Sequence, residues 1–197
     1  MPSRSKAMRT KSSSGPAGRN RSENLFHTDS PASRIALLGL LTALAVIMGY
    51  IEARIPLPLP VPGIKIGLCN IVIVFVLYRF GGLRALLVSL VRVVVIGLLF
   101  GSPISMLYGA SGAILSLLGM VLLRKTGHFS VIGVSGAGGA LHSLGQILLA
   151  SLLTGGTAIF RYLPILLLAG EFCGVLIGLV DMILLRRLKS RRNESIL

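Results

Sequence analysis

Arg92 stands near the middle of residues 83–101, a run that is otherwise almost wholly apolar. An arginine left unpaired at a bilayer centre costs from roughly 2.5 to well over 10 kcal/mol, so it is expected to face a partner or a polar cavity. Its chemistry is the capture of an anionic group. In a later apolar run, Ser135, Gly138, His142, Gly145 and Gln146 recur so as to share one helix face, which should look inward. Counting roughly 1.5 Å per helical residue brings Arg92, His142 and Glu171 close to one depth at the midplane, with Asn70 and Gln146 further outward. Tyr108 and Ser111 reach toward the same region from the outer end of a fourth run. That agreement in depth points to a shared pocket.

Two readings stand for Arg92 and Glu171: an internal ion pair, or a ligand site formed when such a pair opens. Glu171 can also be buried as the neutral acid. Asp181 lies toward the other end of the sixth run, where basic residues are at hand. Cys69 and Cys173 read as buried thiols, with no C-x-x-C spacing and no histidine at metal-ligand distance along the chain. No nucleophile stands at an evident spacing from His142, and no His-x-x-x-His pair occurs, so a catalytic use of His142 with Glu171 lacks its other parts. The expected site is therefore a substrate-binding one, built from Asn70, Arg92, Tyr108, His142, Gln146 and Glu171, with no catalytic residue, metal or cofactor.

Membrane-spanning helices have to position these residues. The 197-residue chain is 53% hydrophobic and 13% charged, with a mean hydropathy of +0.85, far from the balance of a soluble domain. Six apolar segments cover residues 34–51, 66–80, 83–101, 104–123, 131–153 and 162–185. Most approach the roughly 20 residues a helix needs to cross. The second is short, and a start at Gly63 or snorkelling of Lys65 and Arg79 would compensate. The expected fold is an all-α polytopic membrane protein, a six-helix bundle over residues 34–187. A disordered basic tail precedes it over residues 1–33, and a short basic tail follows over 188–197. No small-x-small cleavage site follows the first apolar run, which is read as a retained helix rather than a signal peptide.

Twenty basic residues against six acidic give a net charge of +14. In a soluble chain that balance suggests nucleic acid; here the basic residues avoid the apolar segments and leave no folded basic domain. They read as topology and as contact with anionic lipid. With the amino terminus inside, Arg34, Arg79, Arg84, Arg124, Lys125, Arg186, Arg187, Lys189, Arg191 and Arg192 collect on one side. Only Arg54, Lys65 and Arg161 fall on the other, so both termini are expected in the cytoplasm. No G-x-x-x-x-G-K-[ST] loop is present for ATP hydrolysis.

Residues 52–65, read as the first outer loop, carry prolines at positions 56, 58, 60 and 62, which forbid helix and favour a stiff extended chain. The stretch suits either a partly apolar cap over the outer mouth of the bundle or a plain rigid turn. Small residues recur four apart as Gly39 and Ala43, Gly97 and Gly101, and Gly170, Gly174 and Gly178. Such faces let helix backbones approach closely, within the bundle or, for the first helix, against another membrane protein.

Taken in order, IEARIPLP, PGIKIGLCNIV, LLVSLVRVVVIGLLFG, GALHSLGQILLA and RYLPILLLAGEFCGVLIGL resemble the Gx transporter family, also named heptaprenyl diphosphate synthase component I. The resemblance runs over about residues 34–185. That family is similar in turn to the substrate-binding, or S, components of energy-coupling factor transporters. The resemblance implies six helices with both ends cytoplasmic, an outer pocket capped by the first loop, and a small-residue face on the first helix that docks an energy-coupling membrane subunit with its ATPases. Carried over, that face is Ala36, Gly39 and Ala43. The resemblance also marks Asn70, Arg92, His142 and Gln146 as site residues, whereas Glu171 rests on the residues alone. Ser143 stands where the family often has Asn after the histidine, a departure that bears on the substrate more than on the fold.

The leading expectation is uptake of a small metabolite by a multi-pass protein of the bacterial plasma or inner membrane. The alternative is a membrane accessory subunit of a heptaprenyl diphosphate synthase, non-catalytic because the chain has only Asp29 and Asp181 where such enzymes carry aspartate-rich motifs.

Overall fold

The computed structural model describes residues 31–54 and 67–194, with side chains through Leu188. The chain divides into two units, Met1–Ile35 and Ala36–Leu197. Of the first, the described residues are 31–35, the opening turn of a helix; the account below concerns the second.

Each of the six apolar segments forms an α-helix: α1 Pro31–Arg54, α2 Leu68–Phe80, α3 Gly82–Phe100, α4 Pro103–Thr126, α5 Val131–Thr154 and α6 Leu163–Glu194. A short 3-10 helix, Ala158–Tyr162, precedes α6. A helix is the form in which an apolar segment satisfies its own backbone away from water, and the breaks fall where the sequence supplies caps. Gly81, with φ +96, separates α2 from α3. Ser102 and Ser105 cap the start of α4 by exchanging side-chain to backbone hydrogen bonds of 3.2 and 2.9 Å, with Pro103 as the first helical residue. Gly127 at φ +71 ends α4, and Ser130 caps α5 by accepting from the Gly133 N–H at 3.2 Å.

From α2 onward each helix packs on the next, and α6 returns to α2. The core lies along α2, where Cys69, Val72, Ile73, Val74, Val76 and Leu77 are buried together with Val134 of α5 and Ile177 of α6. An unbroken apolar sequence is what a helix covered on most sides requires. Arg124 closes its far end, donating to the carbonyls of Leu77 and Tyr78 and lying 4.8 Å from the Tyr78 ring centre. The closest approach is between α5 and α6. A Cβ on Gly139 would strike the Gly170 carbonyl, one on Gly174 the Ser135 carbonyl, and one on Gly178 the Ile132 Cα. The stripe of small residues on the sixth segment is thus an internal packing face.

α1 is held differently, with Ala45, Gly49 and Glu52 as its buried residues. Large apolar side chains face outward around the bundle, including Leu40, Leu83, Leu98, Leu152 and Leu168. Among the described residues five helices are long and apolar enough to cross a membrane, and α2, at 13 residues, is a shorter apolar helix. The chain is an all-α polytopic membrane protein.

Several boundaries differ from the sequence reading, α1 beginning at Pro31 within the expected tail and α4 running on to Thr126. Residues 52–54 continue α1 rather than opening a loop, α2 starts at Leu68 after a left-handed Gly67, and α6 runs on to Glu194. The proline-rich cap and the tail over residues 1–30 lie outside the described residues.

Asp181 does not meet the basic residues expected at its end of α6. It is 0% exposed, and neither carboxylate oxygen has a hydrogen-bond partner among the described residues. A buried polar group without a partner costs roughly 1–3 kcal/mol. Asp181→Leu is therefore expected to raise the thermal unfolding midpoint of the detergent-solubilised protein, whereas a lowered midpoint would show that the carboxyl is needed.

Candidate functional site

One cavity of about 130 Å³ opens among the described residues, at the end of the bundle where α1 finishes and α2 begins. Gly49, Glu52 and Ala53 enter it from α1, and Cys69 and Asn70 from α2, beside Gly67. Arg92, Val93, Ile96 and Gly97 come from α3, and Ser105, Met106 and Gly109 from α4. Gly139, His142, Ser143 and Gln146 of α5 and Gly170, Cys173, Gly174 and Ile177 of α6 complete the wall. Its volume lies below the roughly 300–1,000 Å³ of sites for drug-sized molecules, so it suits a compact ligand.

Glycine makes room for the polar groups. A Cβ on Gly49 would come within 3.0 Å of Ile96 and 3.8 Å of the Arg92 side chain. One on Gly112 would come within 2.9 Å of the His142 ring, so the bare backbone of α4 is what seats that ring. Gly67, at φ +79, takes a backbone form that other residues rarely adopt. Its N–H donates to Oε1 of Glu52, which ties the end of α1 to the start of α2.

Glu52 is 9% exposed. Its Oε2 faces the Cys69 thiol, which donates to it at 3.7 Å, and the same sulfur accepts from Nη1 of Arg92. The Nε of Arg92 is buried with no hydrogen-bond partner among the described residues. A thiol thus stands between a carboxylate and a guanidinium that form no ion pair with each other among the described residues.

Of the residues picked out by sequence, Asn70, Arg92, His142 and Gln146 meet in this cavity. Tyr108 and Glu171 do not line it. Tyr108 is half-buried one position before the lining Gly109, and Glu171 is exposed. Glu171 and Arg92 make no ion pair among the described residues, because Glu171 points away from the wall made by Gly170, Cys173, Gly174 and Ile177. At about 100° per residue those four cluster around one side of α6, and Glu171 falls about 60° beyond the nearest of them, Gly174. Ala36, Gly39 and Ala43 are all exposed on α1, and a Cβ on Gly39 would meet nothing within 4 Å.

Glu52, Cys69, Ser105, Met106 and Cys173 are among the lining residues that sequence reasoning left out of the site. Glu52 carried a usable signal: it lies three residues after Gly49, on the face that α1 buries. Among the described residues no three His, Cys, Asp or Glu side chains group so as to hold a metal ion.

Residues 41–184 match the family described as heptaprenyl diphosphate synthase component I. No curated protein matches the sequence. In fold the chain is similar to the S component of a bacterial ECF transporter, with a TM-score of 0.60 and 18% identity, over 82% of this chain and 98% of that one. The fold likeness agrees with the bundle described above, and the family match takes in every lining residue from Gly49 to Ile177. This chain belongs to the heptaprenyl diphosphate synthase component I family.

Proposed function

We propose that the chain is an S-component-like protein of the bacterial plasma or inner membrane that captures a small metabolite from outside for uptake and performs no catalysis of its own. The observation that carries this reading is the cavity, to which α2, α3 and α5 bring Asn70, Arg92, His142 and Gln146 at one end of the bundle. Arg79, Arg84, Arg124, Lys125, Arg186 and Arg187 fall near the helix ends away from that cavity. The positive-inside tendency then turns the cavity outward, with six crossings and both termini in the cytoplasm. Exposed Ala36, Gly39 and Ala43 give α1 a small-residue face on which an energy-coupling membrane subunit, with ATPases behind it, would dock.

The test is native mass spectrometry of the protein extracted gently from its own membranes. A retained small molecule and a stoichiometric membrane partner are expected, with Gly39→Leu losing the partner and keeping the molecule. The family description favours a second reading, a membrane accessory of a soluble prenyl synthase. A soluble synthase in the spectrum, with no small ligand, would replace the first reading with this one.

A further inference from the structure

Glu52 and Arg92 bring opposite charges into one small cavity without satisfying each other. Among the described residues, Glu52 uses one oxygen on the Gly67 N–H and turns the other to a thiol at 3.7 Å. A carboxylate accepts at roughly four lone-pair positions, and a thiol is a weak donor. Arg92 has five N–H donors; among the described residues Nη1 meets the sulfur of Cys69, a poor acceptor, and Nε is buried with none. The side chain of Cys69 keeps the two charges apart.

The ligand that completes this arrangement follows by elimination. A monoanion on Arg92 would leave the carboxylate of Glu52 facing it across a confined, weakly screening space. A monocation on Glu52 would meet the guanidinium in the same way. A neutral ligand would leave both charges short of partners, which is costly away from water. We propose that the cavity takes a compact zwitterion of amino-acid type, its anionic group on Arg92 and its protonated amine on Glu52. Only one thiol stands between the two charges, so those of the ligand lie a few bonds apart, as in an α- or β-amino acid. Asn70, His142 and Gln146 are left to read the remainder of the molecule. This deepens the capture reading and rests on it, and it assigns to Glu52 a ligand contact beyond its hold on α2.

The experiment is a binding panel on the full-length chain in nanodiscs. The standard α-amino acids and β-alanine are each set beside their deaminated acid and their decarboxylated amine, with binding read by calorimetry. At least one zwitterion is expected to bind tenfold or more tighter than both of its single-charge analogues. Glu52→Gln, which keeps an oxygen for the Gly67 N–H, is expected to erase the difference between zwitterion and acid. The analogue comparison needs no variant, so it stands if that variant fails to fold. An acid analogue binding as tightly as its zwitterion overturns the inference and leaves capture intact. No binding by any member of the panel also overturns it. Capture itself falls only if, in addition, nothing co-purifies in the native mass spectrum.

Discussion

Replacing Arg92 with alanine is expected to weaken binding of the co-purifying small molecule by roughly 30-fold to several thousand-fold while leaving the bundle folded. Truncating one side of a buried, hydrogen-bonded charge pair costs about 2–5 kcal/mol or more, which sets that range. The fold should persist because Arg92 has so little to lose: among the described residues its side chain donates to the Cys69 sulfur, and its Nε has no partner. Removing an under-satisfied, half-buried cation should raise the unfolding midpoint of the empty protein, or leave it where it is. Arg92→Lys keeps the charge but loses the planar fork of donors, so an intermediate affinity is expected. Equal affinity in wild type and Arg92→Ala, measured by titration in detergent or nanodiscs, would remove Arg92 from the site and leave it as a structural residue.

The largest effect on folding is expected at the α5–α6 contact. Gly174→Leu would drive a side chain into the Ser135 carbonyl and to within 2.9 Å of the Gly136 Cα, both of them backbone atoms. Overpacking among side chains typically costs about 1–3 kcal/mol. A backbone has no rotamer into which to retreat, so the loss here should exceed that range, and α6 should part from α5. Because α5 and α6 form adjoining walls of the cavity, binding should vanish with the fold. Size-exclusion profiles of the solubilised protein check this directly. Gly39→Leu, where a Cβ meets nothing within 4 Å among the described residues, is the control and, with each protein purified without a partner, should elute as wild type does. A monodisperse, ligand-binding Gly174→Leu protein would mean that the two helices are not held at their glycines.

The helices and most of the polar wall were legible in the sequence for a physical reason. In a bilayer-length apolar run a polar residue is conspicuous, and Asn70, Arg92, His142 and Gln146 could be picked out one by one and matched in depth. Depth along a helix follows from counting; direction around it depends on which neighbours crowd which side. Glu171 shows the gap, since it sits at a suitable depth beside Gly170 and yet faces outward. Glu52 shows the opposite failure. Placed next to a proline-rich stretch it reads as a loop residue, whereas α1 continues through Arg54 and carries it into the cavity at 9% exposure. The glycines were legible as packing faces, but only the folded chain shows that Gly112 seats the His142 ring and that a Cβ on Gly39 would meet nothing within 4 Å among the described residues.

The chain has two cysteines, and both line the cavity. Cys69 is 2% exposed between Glu52 and Arg92, while Cys173 on α6 is half-buried. Any thiol-directed label on the native protein therefore reports from the cavity itself, with no background to engineer away. The rate at which such a label is taken up becomes a meter of occupancy that needs neither a known ligand nor an altered sequence.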